Sequence, residues 1–199
     1  MNFKEVKLFY VLSCILLCII ILSPISFAVF PLPESERFSE LWLLGPNKMI
    51  ETSPLNVVLS KLYTTSLGVS NHLGGLQYYI VSVTLRNQSQ AFQEMGSLLP
   101  SSLEPIFEYR LFLKNNETWE NDFIFSFEKV SFEENVSRVL TLSLNGNDVN
   151  VDKIAAQDKS DGEFYYQLFF ELWIYDSKIS DFQYHNRSVW FWLNLTNEL

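Results

Sequence analysis

The stretch from Leu8 to Phe30, LFYVLSCILLCIIILSPISFAVF, constrains this chain more than any other feature. It holds no charged residue and is about long enough to cross a bilayer core, which takes roughly 20 residues of helix. Two topologies follow. In the first, Lys4 and Lys7 keep residues 1–7 in the cytoplasm, and 8–30 stays in the bilayer as a signal anchor with the rest of the chain outside. In the second, Leu8 to Leu22 is the apolar region of a signal peptide, Pro24 breaks its helix, and Ser26-Phe27-Ala28 is a small-x-small cleavage site. The body is then secreted after cleavage near Ala28. The run continues through Val29 and Phe30 before Pro31 and Pro33 end it, which favours the anchor. The expectation is a single-pass cell-membrane protein with an extracellular C-terminal domain, and both topologies export that domain.

The exported part is acidic. Without Lys4, Lys7 and Glu5 the remainder carries a net charge of −10, against −9 for the whole chain. Nucleic-acid binding needs clustered Lys and Arg to meet phosphates, so this balance argues against it. Both cysteines, Cys14 and Cys18, lie in the apolar stretch. The body therefore has no disulfide available and must stand on its own core.

That body reads as strands. Residues 31–36 form a Pro-containing spacer, and the ordered domain is expected over 37–199. RFSELWLL opens it, Leu55 to Leu62 is a short apolar strand, and Tyr63 to Ser70 another. Asn71-His72-Leu73-Gly74-Gly75 has the composition of a hairpin loop. Between Leu76 and Arg86, Tyr79, Val81, Val83 and Leu85 alternate with Ser82, Thr84 and Arg86, the pattern of a half-buried strand. Gln88 to Glu104, with Pro100, fits a crossover loop or a short helix. Ile106 to Leu113 and the run Phe123, Phe125, Phe127 resume the alternation. Leu140, Leu142 and Leu144 are expected to point inward before the Asn145-Gly146 turn. In Phe164 to Tyr175, Tyr166, Leu168, Phe170, Leu172 and Ile174 share one face. In Ser188 to Thr196, Val189, Phe191, Leu193 and Leu195 do. About eight short strands with no long amphipathic helix in the body predict an antiparallel immunoglobulin-like β-sandwich. The Cys…Trp…Cys framework of antibody domains is missing, so the likeness concerns architecture.

Several blocks resemble a known family. FPLPESERFSELWLLGPNKMIETSP, directly after the apolar helix, is similar to the opening of the archaeal membrane-protein family catalogued as domain of unknown function 1616. YTTSLGVSNHLGGLQYYIVSVTLRNQS resembles that family's second block, and FYYQLFFELWIYD its closing block. The resemblance covers most of Phe30 to Asp176. It implies an archaeal surface protein with an extracellular β-rich domain, and it brings no active residues. Longer relatives carry several membrane helices before this domain, whereas this chain has one apolar stretch.

No catalytic constellation is legible. Gly-x-Ser-x-Gly, P-loop and dinucleotide fingerprints are missing from the sequence, and His72 and His185 are too few for a histidine-rich metal site. Asp148, Asp152, Asp158 and Asp161 do not follow EF-hand spacing and read as a solvated acidic loop. No catalytic, cofactor-binding or metal residue is assigned, and no cofactor is expected. Five sequons mark possible N-glycosylation at Asn87, Asn116, Asn135, Asn186 and Asn194, each in an expected turn, strand end or outward face. The strand parity turns Trp173, Trp190 and Trp192 outward, as a possible interaction surface. The expectation is a non-enzymatic, membrane-anchored module: the bilayer holds residues 8–30, and the domain contacts an envelope protein. The alternative is a carbohydrate-recognition or accessory module in surface-glycan assembly, using the same tryptophans.

Overall fold

The computed structural model describes residues 3–29, 36–49, 55–90 and 99–196. The chain divides into two compact units, Met1–Glu36 and Arg37–Leu199. The first holds α1 (Phe3–Val29), a helix whose charged residues Lys4, Glu5 and Lys7 all lie in its first turns. Its side chains are described from Val6 to Ile20, and Leu8, Phe9, Leu16 and Ile20 among them are exposed. Among the described residues no helix is long and apolar enough to cross a membrane. The expected span 8–30 falls partly outside the described residues.

The second unit is a two-sheet β-sandwich. Its strands are β1 (Phe38–Leu44), β2 (Leu55–Val57), β3 (Tyr63–His72), β4 (Gln77–Asn87), β5 (Phe107–Leu113), β6 (Glu117–Glu133), β7 (Val136–Leu144), β8 (Asn147–Ala156), β9 (Phe164–Asp176) and β10 (Asp181–Leu195). One sheet, A, has the order β1-β3-β6-β7-β8, and the other, B, the order β2-β10-β9-β4-β5. All pairings are antiparallel except β2 with β10. The alternating apolar residues meet between the sheets. Phe123, Phe125 and Phe127 from sheet A and Tyr166, Leu168, Phe170 and Leu172 from sheet B are fully buried there. Burying each of these apolar side chains contributes about 1.5–3 kcal/mol before chain entropy is counted.

Four expectations are corrected by the topology. The Asn71–Gly75 loop is not a hairpin: β3 belongs to sheet A and β4 to sheet B, so this loop carries the chain from one sheet to the other. Conversely, Gln88 to Glu104 is not a crossover, because it lies between the antiparallel neighbours β4 and β5; residues 91–98, on which the short-helix alternative falls, lie outside those described. The strand β4 is not half-buried. Sheet B places it between β9 and β5, and Ser82, Thr84 and Arg86 on its outer face are as buried as the inner residues. Finally, the region of Asp148 and Asp152 is a strand, β8, rather than a loop.

One inward assignment also moves. Val139, Leu142 and Leu144 are fully buried, but Leu140 is only partly so. The pairing of β7 with β6 jumps from Thr141 to Val139 across a bulge, and Leu140 is the extra residue. A bulge inserts one residue and so reverses the inside–outside alternation beyond it. The expected strand Leu55–Leu62 shrinks to the three residues of β2, followed by a single bridge from Leu59 to Phe127.

Candidate interaction surface

The outer face of sheet B gathers most of the residues with binding potential. At one end Phe112 pairs with Tyr78 across β5 and β4, and Tyr175 pairs with Phe182 across β9 and β10. Ile80 opposite Trp173 fixes the register of the two halves. One row of four aromatic side chains therefore crosses four adjacent strands. The rings pack on one another. Tyr78 and Phe112 stack with centroids 4.1 Å apart and planes within 11°. Phe182 meets Tyr78 edge-on at 4.9 Å and Tyr175 at 5.4 Å. Arg110 crosses the row: it donates to the Tyr78 hydroxyl at 3.3 Å, pairs with Glu108 at 2.9 Å, and lies 5.9 Å from the Phe182 centroid. Phe112 is 65% exposed and Tyr175 38%.

The next rows contain the three tryptophans. Trp173, Trp190 and Trp192 all lie on this outer face, as their parity requires, but each is half-buried. Trp173 donates its indole N–H to Ser82 Oγ at 3.2 Å and packs on Tyr184, while Trp190 stacks on Phe169 at 5.8 Å. Between them the face is polar and closed. Glu171 is 3% exposed and accepts the Ser101 backbone N–H at 2.6 Å. Burial pushes its carboxyl above the ordinary range, against the Ser101 bond and the Arg86 charge, which pull it down. Gln167 is completely buried, and among the described residues neither atom of its amide has a hydrogen-bond partner. Among the described residues of this face, the exposed aromatic rings are Phe112 and Tyr175 in that row, where Tyr78 and Phe182 are half-buried like the tryptophans. Tyr and Phe alternate with polar residues in many strands, so sequence reasoning weighted the tryptophans and missed this row. The signal present was shared parity, Tyr78 with Ser82 and Tyr175 with Trp173.

A second polar network lies at the sandwich margin. The register of β10 slips between Tyr184 and Arg187, and Asn186 adopts φ +53° in the slip. This bulge turns His185 toward β1, where Nε2 lies 3.1 Å from Ser39 Oγ. Ser39 Oγ is 2.7 Å from the Tyr79 hydroxyl, which donates to Asn71 Oδ1 at 3.2 Å. Asn71, fully buried, spends its amide on the carbonyls of Gly75, Leu113 and Lys114. With the Tyr79 proton given to Asn71, Ser39 donates to Tyr79 and the His185 Nε2–H donates to Ser39. A histidine that donates at this contact is not a base for the serine, and Ser39 is 1% exposed. The chain of bonds ties together β1, β10 and the intersheet corner.

The sequons separate by burial. Asn116, Asn135 and Asn186 are exposed. Asn87 is half-buried and gives its amide to the Ile154 carbonyl. Asn194 is 2% exposed and donates to Asn56 Oδ1 at 3.1 Å, so this fold leaves no room for a glycan on it. Three of the four aspartates are engaged locally: Asp152 with Arg138, Asp158 with Ser160, and Asp161 with Tyr165. Among the described residues no group of three or more His, Cys, Asp or Glu is placed to hold a metal ion.

The sequence matches no family model and no curated protein. Solved structures give distant likenesses. A β-glucosidase from Listeria innocua, in complex with isofagomine, is 10% identical at a TM-score of 0.40, over 83% of this chain and 17% of that one. This chain therefore spans about a sixth of the enzyme's length. The ASH / PapD-like domain of human CEP192 is 11% identical at 0.36, over 85% and 92% of the two chains. The C-terminal domain of wzt is 8% identical at 0.38, over 87% and 86%.

Proposed function

We propose that this chain is a non-enzymatic cell-surface module, anchored by Leu8–Phe30, whose sandwich contacts another envelope protein through the outer face of sheet B. The anchor is supported by the uncharged apolar run and by the helix Phe3–Val29, which includes that run up to Val29. An immunoglobulin-like arrangement describes the sandwich within this reading, and Asn116, Asn135 and Asn186 are the exposed sequons that could carry glycans.

The observation that carries the protein-contact reading is the row Phe112–Tyr78–Tyr175–Phe182. It is aromatic, partly exposed and flanked by the charged pair Arg110–Glu108, the make-up of an interface centre with a polar rim. Carbohydrate recognition ranks second because stacking on a sugar needs a free ring face. Here Tyr78 and Phe112 each spend one ring face on the other, and Phe182 packs edge-on with Tyr78 and Tyr175, which leaves fewer faces for a sugar.

A photo-crosslinking amino acid in place of Phe112, in the full chain in its own cells, tests the reading. One recurrent protein adduct is expected, lost when Phe182→Ser is added and not formed from the exposed position Lys159. Equal labelling from both positions, or adducts only between copies of this chain, would sink it. Adducts carried by surface glycan would install the second reading.

A further inference from the structure

The open edge of β1 is independent of the aromatic row. Ser39 is opposite Asn71 in the β1–β3 ladder, and the Asn71 carbonyl bonds to the Asn116 N–H on the far side of β3. The Ser39 carbonyl meanwhile accepts the Arg187 Nε–H at 3.3 Å. Both facts make Ser39–Asn71 a pair whose backbone groups point away from each other. Antiparallel ladders alternate, so Glu40 and Trp42 bond to β3 while Leu41 and Leu43 aim both N–H and C=O outward. Among the described residues nothing pairs with that edge.

Natural sheets protect such edges with charges, prolines or short strands. FSELWLL has none of these devices in the right place. Its one charge, Glu40, is held by the Ser70 hydroxyl, which donates to it at 2.8 Å on the outer face of sheet A. A groove of about 510 Å³ runs along the edge, lined by Phe38 to Trp42 and by Arg187. Five consecutive residues from both faces of one strand can line a groove only along its edge. The Arg187 guanidinium is fixed at its lip by two backbone carbonyls, Ser39 through Nε and Asn186 through Nη1, and Nη2 remains to donate.

We propose that β1 accepts an extended segment of a partner protein as an added strand, with an Asp or Glu of that segment meeting Arg187. The backbone groups of Leu41 and Leu43 supply the ladder bonds, and the guanidinium selects the carboxylate.

The probe is a phage-displayed library of linear dodecapeptides, selected against the full chain in detergent. Enriched peptides are expected to alternate apolar and polar residues and to carry an Asp or Glu. Leu41→Pro removes an outward N–H and leaves the β1–β3 bonds in place, as edge prolines do. It should weaken these peptides by about tenfold. Arg187→Gln should cut the preference for acidic over neutral peptides roughly fivefold. Should Leu41→Pro fail to fold, amide exchange replaces it: the Leu41 and Leu43 amides of the unaltered chain must slow when peptide binds. Peptides that bind Leu41→Pro as well as the parent chain, that lack acidic residues, or that leave those amides unprotected would overturn the proposal. So would a dimer of the unaltered chain that Leu41→Pro makes monomeric, since a second copy would then occupy the edge.

Discussion

Burial and the neighbouring Arg187 charge both push the His185 imidazole below its ordinary value. The groups facing it are Arg187, the Ser39 hydroxyl and the Tyr79 ring. In the folded chain His185 stays neutral to a lower pH than in the unfolded chain, where it titrates near about 6.5. Below that value the unfolded chain takes up the proton first, so this residue's contribution to stability falls as pH drops. Urea midpoints at pH 7 and pH 5 should differ less in His185→Gln than in the parent chain, an amide replacing the donor to Ser39. An unchanged difference would show that another group carries the pH dependence. None of this was legible in the sequence. Ser39 and His185 stand far apart along the chain, and only the β10 bulge and the β1 edge bring them together. Asn71 is a similar case: its composition marked a turn, but its role as donor to three carbonyls depends on where β5 ends.

At the scale of elements, turn chemistry and strand parity were the reliable signals. Asn145 and Gly146 join β7 to β8 with φ of +50° and +78°, the two positive values that a two-residue hairpin of this twist requires. Gly146→Val should destabilise the sandwich by about 1–3 kcal/mol, because a β-branched residue is strained at that φ. Denaturant titration with an unchanged slope would confirm it, and a loss under half that size would mean the turn rearranges. Parity placed the inner faces of β9 and β10 correctly because those strands are regular where they cross the core. It failed at Leu140, where a bulge shifts the phase, and at β4, whose polar outer face is buried by neighbours that parity cannot see.

For the whole molecule, the core lies within Arg37–Leu199. A chain starting at Arg37 should keep its β-sheet circular dichroism, unfold in one cooperative step and retain its urea midpoint. A broad or shifted transition would show that residues before Arg37 support the sandwich. The sequence by itself determined the apolar N-terminal stretch, the acidic body without disulfides, and a mainly β domain with its faces assigned strand by strand. Those are local properties, because a strand's faces follow from alternation and a turn from its own residues. Only the tertiary structure decided which strands share a sheet, that the chain changes sheets at Asn71–Gly75, and which aromatic residues stay open. Pairing, edges and exposure depend on contacts between residues far apart in the chain, and no local pattern encodes them.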